Sequence, residues 1–78
     1  SKGFNGTQLH PSLAGAVFGD QENASGVLLL SIKKHSPAWQ AGLRHNDLII
    51  AINRHGVDSI KDLNILSQKK KNNISQRV

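Results

Sequence analysis

The chain has 78 residues, a net charge of +5 and no cysteine. A chain of this length forms at most one small domain, and without cysteine it has neither disulfides nor thiolate zinc sites. No apolar run approaches the roughly 20 residues of a membrane-spanning helix. The expected class is therefore a single small domain with an aliphatic core.

The first half of the chain predicts two strands on either side of a polar loop. Residues 1–12 are rich in Gly, Asn, Ser, Thr and Gln, and we expect an irregular lead-in there. The apolar segment 13–18 follows, and 19–26 is expected to be a mobile loop because it is polar and bounded by glycines. The almost unbroken apolar run 27–32 predicts a strand that is buried on both faces.

A short helix with clear start and stop signals comes next. Ser36 can accept a hydrogen bond from a first-turn amide, and Pro37 suits the first helical position. Gly42 readily adopts the left-handed conformation that ends a helix. The β-branched apolar run 48–52 then has the length and composition of a strand.

The last third of the chain predicts a turn, a second helix and a weak strand. Gly56 can supply a positive φ for the turn. Ser59 and Asp62 resemble a capping box, which would open a helix that ends near residue 69 or 70. The apolar stripe of this helix comprises Ile60, Leu63 and Leu66. The alternating segment 74–78 predicts a strand.

Residues of different types that begin or end helices and turns occur at fixed offsets between Ser36 and Asn53. Their order resembles that of PDZ domains from bacterial HtrA (Deg) serine proteases, in the pattern S-P-A-x-x-A-G-L-x-x-x-D-x-I-x-x-I-N. The alternative is an unrelated α/β domain with a short capped helix. Two further segments look like the opening of the second PDZ module of DegP- and DegQ-type proteases: Phe4-Asn5-Gly6 and Leu13-x-Gly15-Ala16.

The resemblance implies a small α+β fold over residues 13–78. This fold is a PDZ-like, partly open antiparallel β-sandwich or barrel with two helices. The family's last strand should follow Val78, so we expect this chain to lack it, either by truncation or because another chain supplies it by swapping. Ser67 and Gln76 depart from the family pattern, because aliphatic residues are usual at these positions.

The resemblance also implies a peptide-binding site. In PDZ domains the amides of the loop before a strand bind the ligand's terminal carboxylate, and the strand pairs with the ligand as an added β-strand. Gly15 would let the backbone approach a ligand oxygen, and successive amides would form an anion-binding nest. The residues in these loop and strand roles are Leu13, Ala14, Gly15, Ala16, Val17 and Phe18.

One face of the second helix would form the opposite wall of this groove. It carries Ser59, Leu63 and Leu66, spaced i, i+4 and i+7. The two leucines could instead belong to the core, and Ser59 could serve only as a helix cap. Trp39 on the short helix either packs against a neighbouring strand or contacts another PDZ module, because aromatic anchors concentrate interface energy.

The remaining candidate residues do not form a catalytic or metal-binding pattern. The histidines occur at a spacing that matches no ligand motif, and we expect them in surface loops: they are His10, His35, His45 and His55. No serine lies in a Gly-x-Ser-x-Gly or Gly-Asn-Ser-Gly-Gly context. We therefore expect this segment to be non-catalytic and to need no cofactor, whereas the protein it resembles is a serine endopeptidase.

A basic cluster, Lys69-Lys70-Lys71, follows the second predicted helix. These lysines either complement the negative end of the helix dipole or bind a polyanion. A small basic nucleic-acid-binding domain is therefore the alternative function. No aromatic residue is interleaved to stack bases, which makes nucleic acid the weaker expectation.

The function that the resemblance implies is an accessory module of a periplasmic protease-chaperone. Such a module would bind unfolded or C-terminal peptide segments by strand addition. It would also, or instead, assemble protease oligomers through contacts with other PDZ or protease domains.

Overall fold

The computed structural model describes residues 3–52 and 54–76, with side chains through Gln68. This part of the chain contains short β-strands and two α-helices, with 3₁₀ turns at Gly6–Gln8 and Pro11–Leu13. The elements are β1 (Phe4–Asn5), β2 (Ala16–Asp20), β3 (Val27–Ile32), α1 (Pro37–Gln40), β4 (Leu48–Ile49), β5 (Ala51–Ile52), β6 (His55–Gly56) and α2 (Ile60–Gln76).

The strands form a four-stranded sheet and a two-stranded ribbon, and every pairing is antiparallel. The sheet has the order β1-β2-β3-β4, and β5 pairs with β6. The ladder between β2 and β3 shifts register between Val17 and Phe18, as at a β-bulge. The expected small α+β architecture with an antiparallel sheet and two helices is confirmed.

The core is formed by one face of the sheet and the two helices. Phe18 from β2, Leu29 from β3 and Leu63 from α2 are completely buried, and Ala38 of α1 lies in the same cluster. Burial of a large apolar side chain contributes about 1.5–3 kcal/mol to folding. Because β2 supplies Phe18, the largest of these side chains, this strand contributes directly to the core.

The helix α1 begins and ends at the predicted residues. The Ser36 hydroxyl accepts a hydrogen bond from the Trp39 amide at 3.3 Å, and Pro37 occupies the first helical position. Gly42 has a φ of 102°, the left-handed conformation that ends a helix. These local signals were sufficient to predict the helix.

Two strand predictions need correction. Burial alternates along β3, with Val27 and Leu29 buried and Leu30 37% exposed, so the prediction of burial on both faces was wrong. The run 48–52 forms two strands instead of one. It divides at Ile50, whose carbonyl accepts a hydrogen bond from the Val57 amide at 2.9 Å, while β4 pairs with β3 and β5 with β6.

The ends of the described chain also differ from the predictions. Helix α2 continues to Gln76, so the predicted helix end and the predicted strand at 74–76 were wrong. Neither Gly nor Pro occurs between Ile60 and Gln76, so no strong helix-breaking residue interrupts it. Residues 77 and 78 lie outside the described residues. Near the N-terminus, Phe4 and Asn5 form a strand where an irregular segment was expected.

The turn before α2 uses a different residue from the one predicted. Arg54 has the positive φ, 71°, whereas Gly56 lies in β6 and is not among the residues with positive φ. The β5–β6 ribbon therefore turns through a non-glycine residue in the left-handed region. The conformation of such a residue costs about 1–2 kcal/mol relative to glycine.

A carboxylate from β2 caps the second helix. The Ile60 amide donates to Asp20 Oδ1 at 2.7 Å, although the two residues are 40 positions apart. The Asp62 carboxylate accepts from the Asp58 amide at 2.9 Å, one residue before the Ser59 amide that the predicted capping box would use. Asp20 thus joins the end of β2 to the start of α2.

Replacing this cap should destabilise the domain. We expect Asp20→Ala to lower the free energy of unfolding by about 1–2 kcal/mol, because an amide at the helix start loses its charged acceptor. Glu22→Ala removes an exposed carboxylate from the adjacent loop and is the matched control, with an effect below about 0.5 kcal/mol. Urea unfolding measures both, and equal losses would contradict the capping role.

Two glycines with similar φ values should differ in their tolerance of alanine. The φ of Gly15 is 95° and that of Gly42 is 102°, but only at Gly15 would an added Cβ clash with the side chain of Ser36. Gly42→Ala should cost about 1–2 kcal/mol, the penalty of the left-handed conformation. Gly15→Ala should cost about 1–3 kcal/mol more, because the clash adds to that penalty. Thermal unfolding with equal losses would show that the Gly15–Ser36 approach is not close.

Candidate peptide-binding site

The loop before β2 is held by its own hydrogen bonds. His10 Nδ1 accepts from the Ser12 amide at 3.1 Å and lies 2.8 Å from Ser12 Oγ. The Leu13 amide donates to His10 O at 2.9 Å, and the Ala14 amide donates to Pro11 O at 3.2 Å. Two of the amides predicted to bind a ligand carboxylate are therefore already used within the loop.

The end of this loop is attached to the start of α1. Gly15 O accepts from the Lys33 amide at 2.8 Å, and Ala14 O accepts from the Ala38 amide at 3.1 Å. An added Cβ on Gly15 would clash with the side chain of Ser36. The close backbone approach at Gly15 therefore serves packing against α1, whereas the sequence predicted approach to a ligand oxygen.

The strand β2 is paired on both edges. Its inner edge pairs with β3, while on its outer edge Phe4 pairs with Phe18 and Asn5 pairs with Val17. Ala16 and Phe18 are buried in the core, and Val17 on the other face is half-buried. The outer edge, where the resemblance implies an added ligand strand, is occupied here by the chain's own N-terminal segment.

The structure brings the loop and the second helix together around Leu13. A cavity of about 190 Å³ lies between them, lined by His10, Ser12, Leu13, Ile52, Leu66 and Ser67. We call it the loop–helix cavity. Leu66, predicted as part of the opposite wall, therefore does face the predicted loop.

The other two predicted wall residues lie differently. Leu63 is completely buried and forms part of a larger apolar groove of about 650 Å³ that also includes Leu13. Its main role in the structure is in the core. Ser59 is half-buried at the start of α2, and its carbonyl accepts from the Leu63 amide at 3.1 Å.

Sequence reasoning missed several residues of the loop–helix cavity. His10 had been expected on the surface, but it is half-buried and precedes the Pro11 turn in the way that Ser36 precedes Pro37. This repeated pattern of a capping side chain followed by proline could have revealed the turn. Ser67 was noted only as a departure from the family pattern, and it is a buried polar residue at the cavity wall.

Trp39 is surrounded by cationic and aromatic neighbours. The Arg44 guanidinium carbon lies 3.6 Å from the centroid of the Trp39 ring, and the His35 ring lies edge-on with its centroid at 6.3 Å. Arg44 Nη1 also donates to the carbonyls of Trp39 and Leu43, at 2.8 and 2.7 Å. Because these contacts are internal, Trp39 packs against its own domain, and a role in partner binding stays a prediction.

The described residues were also compared with the requirements of a metal site and of a membrane-spanning helix. Among residues 3–52 and 54–76, no group of three or more His, Cys, Asp or Glu residues is placed to hold a metal ion. None of the helices in the same residues combines the length and apolar character needed to cross a membrane. The side chains of Lys69–Lys71, the predicted polyanion site, lie outside the described side chains.

The similarity of this chain to known proteins agrees with the fold described above. The family model described as "PDZ domain" matches residues 29–72. The periplasmic pH-dependent serine endoprotease DegQ of Escherichia coli (strain K12) is 35% identical over 66 residues, which cover 81% of this chain and 14% of that protein. A probable periplasmic serine protease, do/HhoA-like, of Haemophilus influenzae (strain ATCC 51907 / DSM 11121 / KW20 / Rd) is 38% identical over 56 residues, or 69% of this chain and 12% of that protein.

The chain therefore spans about one seventh or less of the length of these two relatives. The family match covers more than half of the chain, including most of β3, all of α1 and β4–β6, and most of α2. With the antiparallel sheet and two helices already described, these matches show that the chain belongs to the PDZ domain family and is distantly related to HtrA/DegQ-type periplasmic serine proteases.

Proposed function

We propose that this chain is a non-catalytic PDZ module of a periplasmic HtrA-type serine protease-chaperone and that it binds extended polypeptide by strand addition along the outer edge of β2. The chemistry of peptide cleavage would belong to another domain of the same protein. The named relatives support the periplasmic location and the link to a serine protease. The module would contribute capture of unfolded or C-terminal segments.

One observation carries this proposal: the outer edge of β2 already holds an extended, antiparallel segment. Phe4 and Asn5 pair with Phe18 and Val17 in that register. Strand addition needs an edge whose backbone groups face outward and whose neighbouring side chains leave room for another chain. The pairing of β1 with β2 shows that this edge has outward-facing backbone groups and room for another strand. A peptide that replaces β1 would therefore bond to the same backbone groups of β2.

The loop–helix cavity supplies a second element of recognition. Leu13, Ile52 and Leu66 give it apolar walls, while His10, Ser12 and Ser67 contribute polar groups. An apolar side chain at the end of a bound peptide could enter this cavity. Because the Leu13 and Ala14 amides already donate within the loop, we do not expect them to hold a terminal carboxylate in this conformation.

Peptide titration tests the proposal directly. Peptides with apolar C-termini should shift the amide resonances of residues 15–18 in ¹⁵N-labelled chain. Amidation of the peptide C-terminus should weaken binding by less than about threefold, since the loop amides contribute little to carboxylate binding. Unchanged resonances at residues 15–18 across the whole peptide series would refute strand addition, and a large loss on amidation would refute our assignment of the loop amides.

A pair of variants tests the role of the loop–helix cavity. Leu66→Gln places an amide at the cavity wall and should weaken binding of an apolar C-terminus by about tenfold, through the lost apolar contact. Ile65→Gln changes the neighbouring residue, which is exposed, and should leave binding unchanged. Isothermal titration calorimetry measures both, and equal affinities for the two variants would exclude the cavity from the site.

Assembly with other domains is a second candidate function, favoured by one exposed apolar region. Leu48 and Ile50 are 47% and 65% exposed at the edge strand β4 and the residue that follows it. They border the larger apolar groove, which is also lined by Leu43 and Leu63. Exposed apolar residues beside a groove are typical of protein interfaces. We therefore propose this region, which we call the β4 face, as the contact with other PDZ or protease domains, with Trp39 as a further candidate.

Sedimentation velocity over a concentration series tests the assembly candidate. Ile50→Lys should abolish any rise of the average mass with concentration, because a charge at the β4 face opposes its burial. Ile65→Lys adds the same charge at another exposed isoleucine and should behave as the unmodified chain. If both variants retain the same self-association, or if the unmodified chain stays monomeric throughout, the β4 face does not mediate self-assembly.

A further inference from the structure

The segment that pairs with the outer edge of β2 has a sequence that matches its surroundings position by position. Phe4 lies opposite Phe18, so both side chains are on the core face of the sheet, and Phe4 packs against the core cluster. Asn5 lies opposite Val17 on the other face and is exposed. The site on β2 therefore accepts a large apolar side chain at one position and a polar side chain at the next.

A side chain at the position before the phenylalanine would be crowded by its neighbours. A Cβ added to Gly3 would clash with Cγ1 of Val17 and lie 3.2 Å from Cδ1 of Leu30. The same Leu30 side chain covers Gly19, whose added Cβ would lie 2.8 Å from Leu30 Cδ1. In the register of β1 and β2, Gly3 comes one step beyond the Phe4–Phe18 pair, so any larger residue there requires the Val17 side chain to shift, and glycine fits without that shift.

We propose that the outer edge of β2 selects extended polypeptide in which glycine precedes an aromatic residue, and that the chain's own Gly3–Phe4 step occupies this site as a displaceable internal ligand. The inference rests on the proposed function, because it names the class of segment that strand addition would capture. The occupant is an unfolded polypeptide that carries a glycine–aromatic step. We choose this class of occupant because the chain's own Gly3–Phe4 step lies along the outer edge of β2.

The internal ligand can be displaced because its ladder is short. The strand β1 pairs through two residues, whereas β2 spans five residues, from Ala16 to Asp20. A longer peptide that pairs along the whole strand would form more main-chain hydrogen bonds than Phe4 and Asn5 do. A competing peptide that also fills the positions of Gly3 and Phe4 would thus bind in their place.

The experiment uses one variant that should release the internal ligand and one control. Gly3→Val introduces the clash with Val17 and should free the outer edge of β2. Gly56→Val also adds a branched side chain to an exposed strand glycine, but no atom lies within 4 Å of its added Cβ, so the edge should stay occupied. Amide dispersion in the ¹H–¹⁵N spectrum establishes that each variant is folded.

The probes are three capped hexapeptides. The first, acetyl-Lys-Gly-Phe-Asn-Gly-Thr-amide, has the sequence of residues 2–7. The second replaces the glycine before the phenylalanine by valine, and the third replaces the phenylalanine by alanine. The first peptide should bind the Gly3→Val chain about tenfold or more tightly than either control peptide does. It should bind the Gly56→Val and unmodified chains about tenfold more weakly than the Gly3→Val chain, because these chains must first release their own segment.

The outcomes separate the two proposals. Equal affinity of the Gly3→Val chain for all three peptides, with shifts at residues 17–19, would leave strand addition standing and overturn glycine–aromatic selection. Absence of binding by any peptide to any folded chain would overturn both proposals. If Gly3→Val does not fold, the unmodified chain decides: excess glycine–phenylalanine peptide should move the Gly3 and Phe4 amide resonances to those of a released segment, whereas the valine peptide should not. Resonances that respond to neither peptide, or equally to both, would overturn the inference.

Discussion

The strand β2 is paired on both edges and connects the sheet, the preceding loop and the second helix. The strand carries Phe18 into the core, and its inner edge pairs with β3. Its last residue, Asp20, holds the first amide of α2 at 2.7 Å. The loop before it is attached to α1 through the bond from the Ala38 amide to the Ala14 carbonyl, and to the segment before α1 through the bond from the Lys33 amide to the Gly15 carbonyl. Sheet, both helices and loop therefore meet at one strand, and a change in its position would affect all of them.

The same arrangement accounts for the properties of the candidate site. Strand addition needs a rigid strand, and β2 is made rigid by its buried side chains and by the contacts at its two ends. The loop amides that could have held a carboxylate are used to keep the loop in place. In the proposed function, recognition would therefore rest on the strand edge and on the apolar walls around Leu13 and Leu66 instead of on the terminal carboxylate.

The sequence predicted the features that depend on neighbouring residues. Ser36, Pro37 and Gly42 specify α1 through bonds within a few positions, and the resemblance they carry led to the correct fold. Features that join distant residues were missed. Nothing local to Asp20 indicates that its acceptor group reaches Ile60, and a two-residue strand such as β1 has too few residues to show alternation. The loop bonds of the Leu13 and Ala14 amides are local, each to a carbonyl three residues earlier, and were missed because the cap-then-proline pattern at His10 and Pro11 was not recognised.

We propose that the outer edge of β2 binds extended chain, and residues 4 and 5 are paired with it in the structure. Cross-strand nuclear Overhauser effects measure this pairing directly, because antiparallel pairing brings backbone protons of opposite residues close together. We expect backbone contacts between residues 4–5 and 17–18 in the register Phe4–Phe18 and Asn5–Val17. Residues 3–5 with random-coil shifts and no contact to β2 would contradict it.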